Sequence, residues 1–516
     1  MRRMVISNFQ IFNFQILAML SLLTILSVFF VTFTDKQGCA PVAFSDRALE
    51  QRAKWAIPTD SLDYAVSTTY TDSVRALGGK VMHVSRWLNG ATIACEDSVA
   101  EKIAACSFVK AVEQTREADA AYHLRKNNLS AYAATDSLPQ GTDTQLAMFN
   151  LTPLHQAGYR GEGIVMAVID GGFQNYPIGN NSDHALASYL DTTHWLGSYD
   201  FTDDADDFYG ATGYHGTMCL SLIAGESTGD AGVSPAVGQI VNCQIVKYLG
   251  AATAADYYLM RSEEDGKESP KEMDNLVAAL EKADSLGVNI ASISLGYSEF
   301  DNEEWDFGYA DMNGQTTRCT QAALIAARKG MLVCVAAGNE GNKDWHYLTA
   351  PADADSILCV GAVDSEGKIA AFSSRGPSSD GRVKPDVCAV GEGSCIVNPS
   401  DGSIQYGNGT SFACPLIAGM AACVWSALPD LDAMEIRRRI ICSADRYHTP
   451  DADYGYGIPD AWLAYIGKEA DLSDPHNSSR PVGNTNAPTC QKIYRNGMLY
   501  LLRANYTYDL LGRKIR

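Results

Sequence analysis

Four polar residues stand where short glycine-bearing turns meet apolar runs: Asp170, His215, Asn339 and Ser411. Ser411 lies in Tyr406-Gly-Asn-Gly-Thr-Ser-Phe-Ala-Cys-Pro-Leu-Ile-Ala-Gly-Met420, where two glycines lead into Thr410-Ser411 and an apolar stretch continues through Trp425. Glycine reaches backbone angles that other residues avoid, so such a loop can turn sharply into a helix. At the helix start Ser411 would face unpaired N–H groups and the positive dipole end, both favourable to a developing anion. That is a way to mount a serine nucleophile, and Pro415 is expected in the first turn, where a missing N–H does least harm. Taken alone, Ser411 is more readily read as a helix N-cap, and what overturns that reading lies upstream.

The other three need elements that carry them to the same place. Ile164-Val-Met-Ala-Val-Ile is a continuous apolar run of the kind parallel strands show, and it ends in Asp170-Gly171-Gly172. The C-terminal ends of strands are where open α/β sheets hold their sites, although an Asp there also caps helices. His215-Gly-Thr-Met-Cys-Leu-Ser-Leu-Ile-Ala-Gly225 opens an apolar helix with a histidine, by itself a plain structural start. Helix and strand signals then alternate over 239–247, 273–287, 288–295, 320–329 and 331–337, the last ending in Ala336-Ala-Gly-Asn339-Glu-Gly, where an Asn between glycines is also a plain turn. Gln145 to Gly158 reads as a helix leading into the first strand. This rhythm predicts a parallel sheet with helices on both faces, and all four residues at one edge of it.

The chain is long enough, at 516 residues and 46% apolar, for a large core and more than one domain. With 40 Lys plus Arg against 61 Asp plus Glu, its net charge of −21 argues against nucleic acid and anionic membrane as partners. Arg2 and Arg3 precede an apolar run from about Ile16 to Phe33, followed by polar and small residues, so 1–40 reads as a secretory signal, with an uncleaved anchor as the alternative. Residues 41–118 read as a compact α+β module. It has a helix at Thr71–Leu77, strands at Lys80–Leu88 and Gly90–Cys95 joined at Asn89-Gly90, a helix from Asp97 and a strand from Phe108. The weakly patterned 119–141 is a connector, 142–467 the large domain, 468–490 a polar linker, and 491–516 a short β-hairpin. Of fourteen cysteines, several sit inside apolar runs as small hydrophobes, and no CxxC spacing suggests zinc.

Ala167-Val-Ile-Asp-Gly-Gly, His215-Gly-Thr, Ser294-Leu-Gly, Ala337-Gly-Asn339 and Gly409-Thr-Ser-Phe-Ala-Cys-Pro, in this order, resemble the signature blocks of the subtilisin-like serine peptidases, or subtilases. Phe372-Ser-Ser-Arg-Gly-Pro and Gly455-Tyr-Gly-Ile-Pro-Asp extend the resemblance over roughly 142–467. It implies a three-layer α/β domain with a mostly parallel sheet between helices, and a secreted endopeptidase. Asp170, His215 and Ser411 would be the triad, Asn339 the oxyanion donor, and Ser294, Leu295 and Gly296 a wall of the substrate site. The chemistry would need no cofactor. Some subtilases bind calcium, and Asp200-Phe-Thr-Asp-Asp-Ala-Asp-Asp207 offers carboxylates, but a solvated acidic loop is the better reading. The resemblance also implies that the N-terminal module is a self-cleaved propeptide that blocks the cleft, with the cut between about 115 and 142. Partners are then polypeptide substrates and the chain's own propeptide. Met218, Cys219, Leu220 and Ser221 depart from the usual residues after the histidine, which places a thiol at i+4, beneath the imidazole. The last residues are similar to C-terminal tails of proteins exported by type IX secretion, with a hairpin packed on the enzyme as the alternative. A catalytically idle subtilase fold used for binding is the rival to the enzyme.

Overall fold

The computed structural model describes residues 26–118, 142–178, 182–202, 208–209, 213–227, 248–264 and 266–468, with three strands near the C-terminus. In the N-terminal module, β1 (Ser27–Phe33) is followed by α1 (Asp46–Lys54) and α2 (Thr68–Ala76), then β2 (Lys80–Ser85), β3 (Gly90–Cys95), α3 (Asp97–Ala104) and β4 (Val109–Arg116). The sheet order is β2-β3-β1-β4, with the β2–β3 hairpin turning at Asn89, whose φ is 49°.

The sequence reading placed 27–33 within the export signal, and the structure corrects this. Phe29, Val31 and Phe33 fill the module's own core, while Val28 and Phe30 on the opposite face are also buried. The guanidinium of Arg318, from the large domain, lies 4.9 Å above the Phe30 ring. A strand covered on both faces needs no polar alternation, so it merges in sequence with the apolar run before it. The module therefore starts by Ser27 and not at 41. Residues 1–25 lie outside the described residues, as does the 119–141 connector.

The large domain begins with two short helices, α4 (Asp143–Met148) and α5 (Thr152–Gln156), where one was expected. Asn150, at φ 53°, breaks the run and Pro153 restarts it. Then come β5 (Val165–Asp170), β6 (Trp195–Asp200), α6 (His215–Ala224), β7 (Asp256–Arg261), α7 (Lys271–Leu286), β8 (Ile290–Ile293), α8 (Arg318–Arg328), β9 (Leu332–Ala336), β10 (Leu358–Val363) and β11 (Val387–Val390). The hairpin β12 (Ser394–Val397) and β13 (Ile404–Gly407) leads into α9 (Thr410–Ala427), followed by α10 (Ala433–Cys442) and α11 (Ala461–Ile466). Seven strands form one sheet in the order β11-β10-β9-β8-β5-β7-β6, and every neighbouring pair is parallel. Along β5, Met166 and Val168 enter the core shared with α6 and α9, whereas Val165, Ala167 and Ile169 enter the core shared with α7 and α8. Burial on both faces makes the three-layer architecture.

The module docks on the outer side of α7, with Trp87 part of the same core as Met273, Leu276 and Leu280. Near the C-terminus, β14 (Gln491–Arg495), β15 (Met498–Arg503) and β16 (Tyr506–Tyr508) form a three-stranded antiparallel sheet, one strand more than the expected hairpin. All twelve cysteines among the described residues are free thiols.

Candidate active site

Ser411 is the second residue of α9, among the first four whose N–H groups have no partner within a helix. The chain reaches it through Gly409, whose φ of +156° and ψ of 147° favour glycine. Pro415 stands at the sixth helical position, beyond the first turn expected for it. Its nitrogen stands where an N–H would donate to the Ser411 carbonyl four residues earlier, but it carries no hydrogen. That carbonyl instead accepts the Ser294 hydroxyl at 2.9 Å and the Cys219 thiol at 3.3 Å. One missing helix bond thus ties the start of α9 to the end of β8 and to α6. The i, i+4 spacing of Ser411 and Pro415 was the available signal for it.

His215 opens α6 directly above the end of β5. Its Nδ1 lies 2.7 Å from Asp170 Oδ1, and that oxygen also accepts the Gly171 N–H at 2.8 Å. Gly172 carries the turn: its carbonyl accepts the Gly216 N–H at 2.9 Å, and a methyl on Gly216 would meet Asp170 Cβ at 2.9 Å. Asp170 is fully buried. Burial pulls the His215 pKa down, but the Asp170 charge and hydrogen bond outweigh it, and the imidazole titrates well above the usual histidine range. Cys219 Sγ lies 3.8 Å from His215 Nδ1, as its helical spacing requires. Burial pushes this thiol up, so it is neutral beside the ring. Asp170, His215 and Cys219 offer ligand atoms within 4.8 Å of one another, a set suited to a soft metal ion.

Asn339 follows β9. Its Oδ1 accepts the Thr410 N–H at 2.9 Å and the Thr410 hydroxyl at 3.1 Å, which turns the amide nitrogen away from both. A methyl on Gly409 would lie 3.8 Å from Asn339 Nδ2 and 3.8 Å from Ser411 Cβ, so the amide and the serine flank one point. Thr410 is a positioning residue that the sequence reading overlooked. Leu295 is half-buried and Gly296 exposed beyond the end of β8, with backbone outside any ladder.

Asp170 and His215 are therefore bonded, Asn339 is fixed against the residue before Ser411, and Ser294 touches Ser411 twice. The Ser411 hydroxyl donates to the Ser294 carbonyl at 3.3 Å and not to the imidazole. Of the acidic stretch, Asp200 is used by Arg261 at 3.2 Å and by Thr202, while 203–207 lie outside the described residues.

The profile of the Subtilase family matches residues 161–457. The chain belongs to the subtilases. A second profile, the peptidase S8 propeptide domain of Bacteroidota, matches 28–131, which agrees with β1 as the first strand of the module. Serine protease AprX of Bacillus subtilis (strain 168) is 26% identical over 332 residues, 58% of this chain and 66% of its own length. Subtilisin DY of Bacillus licheniformis is 26% identical over 290 residues, 56% of this chain and 85% of its own. A crystal structure of MycP1 with its N-terminal propeptide removed covers 62% of this chain and 96% of its own, at 22% identity and a TM-score of 0.44. This subtilase thus carries a serine-peptidase domain behind a propeptide. Among the described residues, that propeptide sits on the catalytic domain as an intramolecular partner.

Proposed function

We propose that the chain is an exported serine endopeptidase, made as a zymogen that removes its own propeptide. The supporting observation is the 2.7 Å bond between His215 Nδ1 and buried Asp170, at a site where Asn339 Nδ2 and the start of α9 converge beside Ser411. That bond leaves Nε2 as the proton acceptor. A turn about the Ser411 Cα–Cβ bond exchanges the long bond to Ser294 for one to Nε2. The oxygen then attacks the scissile carbonyl carbon as its proton passes to the imidazole. The carbonyl π electrons move to oxygen, and the oxyanion is met by Asn339 Nδ2 and the Ser411 N–H at the positive end of α9. Collapse re-forms the carbonyl and breaks the C–N bond, and the imidazolium gives its proton to the leaving amine. Water, deprotonated by the same imidazole, releases the acid and restores Ser411. Asp170 stabilises the imidazolium in both halves.

Substrate backbone pairs with the free edge at Ser294, Leu295 and Gly296. No cofactor is needed for this sequence of steps, and structural calcium stays a minor proposal resting on the Asp200 stretch. Cleavage falls after Glu117, whose carboxylate accepts the Asn302 amide at 3.0 Å, and before Thr142. Export rests on Arg2, Arg3 and the apolar residues before β1, with the C-terminal three-stranded unit as a type IX-like sorting tail. A fluorophosphonate probe tests the reading. Labelling of the wild type and none of Ser411→Ala is expected, with loss of peptide hydrolysis in the variant. A wild-type protein that neither labels nor cleaves would point to an idle fold used for binding.

A further inference from the structure

The last residue of β7 is an arginine with 1% of its side chain exposed. β7 lies between β5 and β6, and Arg261 is in register with Asp170 on one side and Asp200 on the other. Residues in register on parallel strands project to the same face. Here it is the face that α6 covers, since Tyr257 and Leu259 enter the core shared with α6 and α9. Arg261 Nε donates to the Gly171 carbonyl at 3.2 Å, and Nη1 donates to Asp200 Oδ2 at 3.2 Å. Asp200 is itself held, because its Oδ1 accepts the Thr202 N–H at 2.9 Å and the Thr202 hydroxyl at 2.8 Å. A buried arginine–aspartate pair is a weak source of stability, since apolar residues of similar volume often serve as well. Its place at this strand end calls for another reason.

Gly171 supplies one. Its N–H donates to Asp170 Oδ1 at 2.8 Å, the same oxygen that meets His215 Nδ1, while Asp170 Oδ2 has no hydrogen-bond partner among the described residues. The carboxylate is therefore oriented through one oxygen, and one of that oxygen's two partners belongs to a glycine, the residue with the most backbone freedom. The guanidinium fixes this glycine from its carbonyl side. The next carbonyl, of Gly172, accepts the Gly216 N–H at 2.9 Å, so one turn sets both the acid and the start of the helix that carries the base. We propose that Arg261 is a positioning residue for the reaction: through the Gly171 carbonyl it holds the Asp170 carboxylate, and hence the imidazole, in line with Ser411. It touches no reacting atom. The substrate wall at the end of β8 lies on the other side of β5, so substrate binding does not depend on it. This rests on the endopeptidase reading.

The test compares the double variant Arg261→Met/Asp200→Asn with the wild type, each matured from the full chain and counted by fluorophosphonate titration. The double variant removes both charges together and strands neither, and its new amide oxygen can still serve Thr202. Well below both melting temperatures, kcat should fall about 10²-fold with KM within about threefold, the scale of a small misplacement of a catalytic group. The acid limb of kcat/KM should move to lower pH, because a loosened Asp170 stabilises the imidazolium less. The two lost charges are opposite in sign, so a change of field alone would leave the limb in place. A merely structural pair would lower the melting temperature and leave both kcat and the limb unchanged. Either result would overturn the proposal, as would a loss confined to KM. Should the double variant fail to fold, Arg261→Lys carries the same test, since it keeps the charge and loses the fork that reaches both partners. Its kcat should fall about five- to tenfold with the limb moving the same way, and wild-type kcat and limb in that variant would refute the role. A wild type that neither labels nor cleaves fails the endopeptidase reading beneath the proposal instead.

Discussion

Replacing Glu281 by Ala should loosen the propeptide by two to three orders of magnitude, although Glu281 touches none of Asp170, His215 or Ser411. Its carboxylate, on α7, accepts the Ser85 hydroxyl at 2.6 Å, the Arg86 N–H at 2.9 Å and the Trp87 N–H at 3.0 Å, from the last residue of β2 and the turn after it. Arg86 also spans to Asp284 at 2.5 Å, and Arg52 from α1 bonds both Asp284 oxygens at 2.9 Å. The side chains of Glu281 and Arg86 are each 7% exposed. Deleting the carboxylate strands two buried backbone N–H groups and half-strands a guanidinium. Removing one partner of a buried pair costs about 3–5 kcal/mol, and about 1.4 kcal/mol is tenfold. Glu281→Gln should cost nearly as much, because its amide NH₂ would face the Arg86 N–H. The assay is to let the full chain process itself, dilute it, and find the concentration at which the cut propeptide dissociates and activity appears. That concentration should rise about 10²- to 10³-fold. The control is Glu113→Ala, which removes an ion pair to Arg318 at 2.6 Å whose glutamate side is 58% exposed; exposed pairs are worth under about 1 kcal/mol, so the shift should stay below about fivefold. A Glu281→Ala shift under threefold would refute the reasoning.

His215 titrates above the usual histidine range, and only its neutral form accepts the Ser411 proton, so kcat/KM should fall as pH drops through that raised value and hold on the alkaline side. Asp170→Asn removes the charge that raises it, so the limb should move to lower pH while turnover falls about 10⁴-fold; an unmoved limb assigns the pKa to another group. Asn339→Ala should lower kcat by about 10²–10³ with KM nearly unchanged, measured on one peptide series, and an effect on KM alone would make Asn339 a ground-state contact. Mercuric ion should inhibit by taking Cys219 Sγ and the nearby imidazole, and Cys219→Ala should be resistant; equal sensitivity in both would place the effect at another cysteine.

The candidate residues could be picked out because a turn of glycines and one short polar residue at a strand end has few uses, and five such turns in one order have fewer. Their joint position followed from the parallel sheet, which sends every strand end to the same edge. What stayed hidden depends on contacts far apart in sequence. Nothing near Glu281 and Asp284 in the sequence announces their partners Arg86 and Arg52. The start of the module was misplaced for a physical reason as well. Phe29-Phe30-Val31 is apolar on both faces because two different bodies cover it, and a one-dimensional reading cannot separate that from an export segment.

The propeptide contact is rich in buried ion pairs. Arg52 and Arg86 from the module meet Asp284 and Glu281, Arg116 meets Glu264 at 3.2 Å, and Asp60 and Asp63 meet Lys329 at 2.9 and 2.8 Å. Buried ion pairs return little net affinity, because each charge first loses its water, but a misregistered dock leaves charges stranded and is strongly disfavoured. An apolar interface of the same extent would hold more tightly and would expose a sticky face once the propeptide was cut away. Here the uncovered face of α7 presents Glu281 and Asp284, which water solvates readily. The geometry thus selects one docking register over tight binding, which suits an intramolecular inhibitor carried on the same chain.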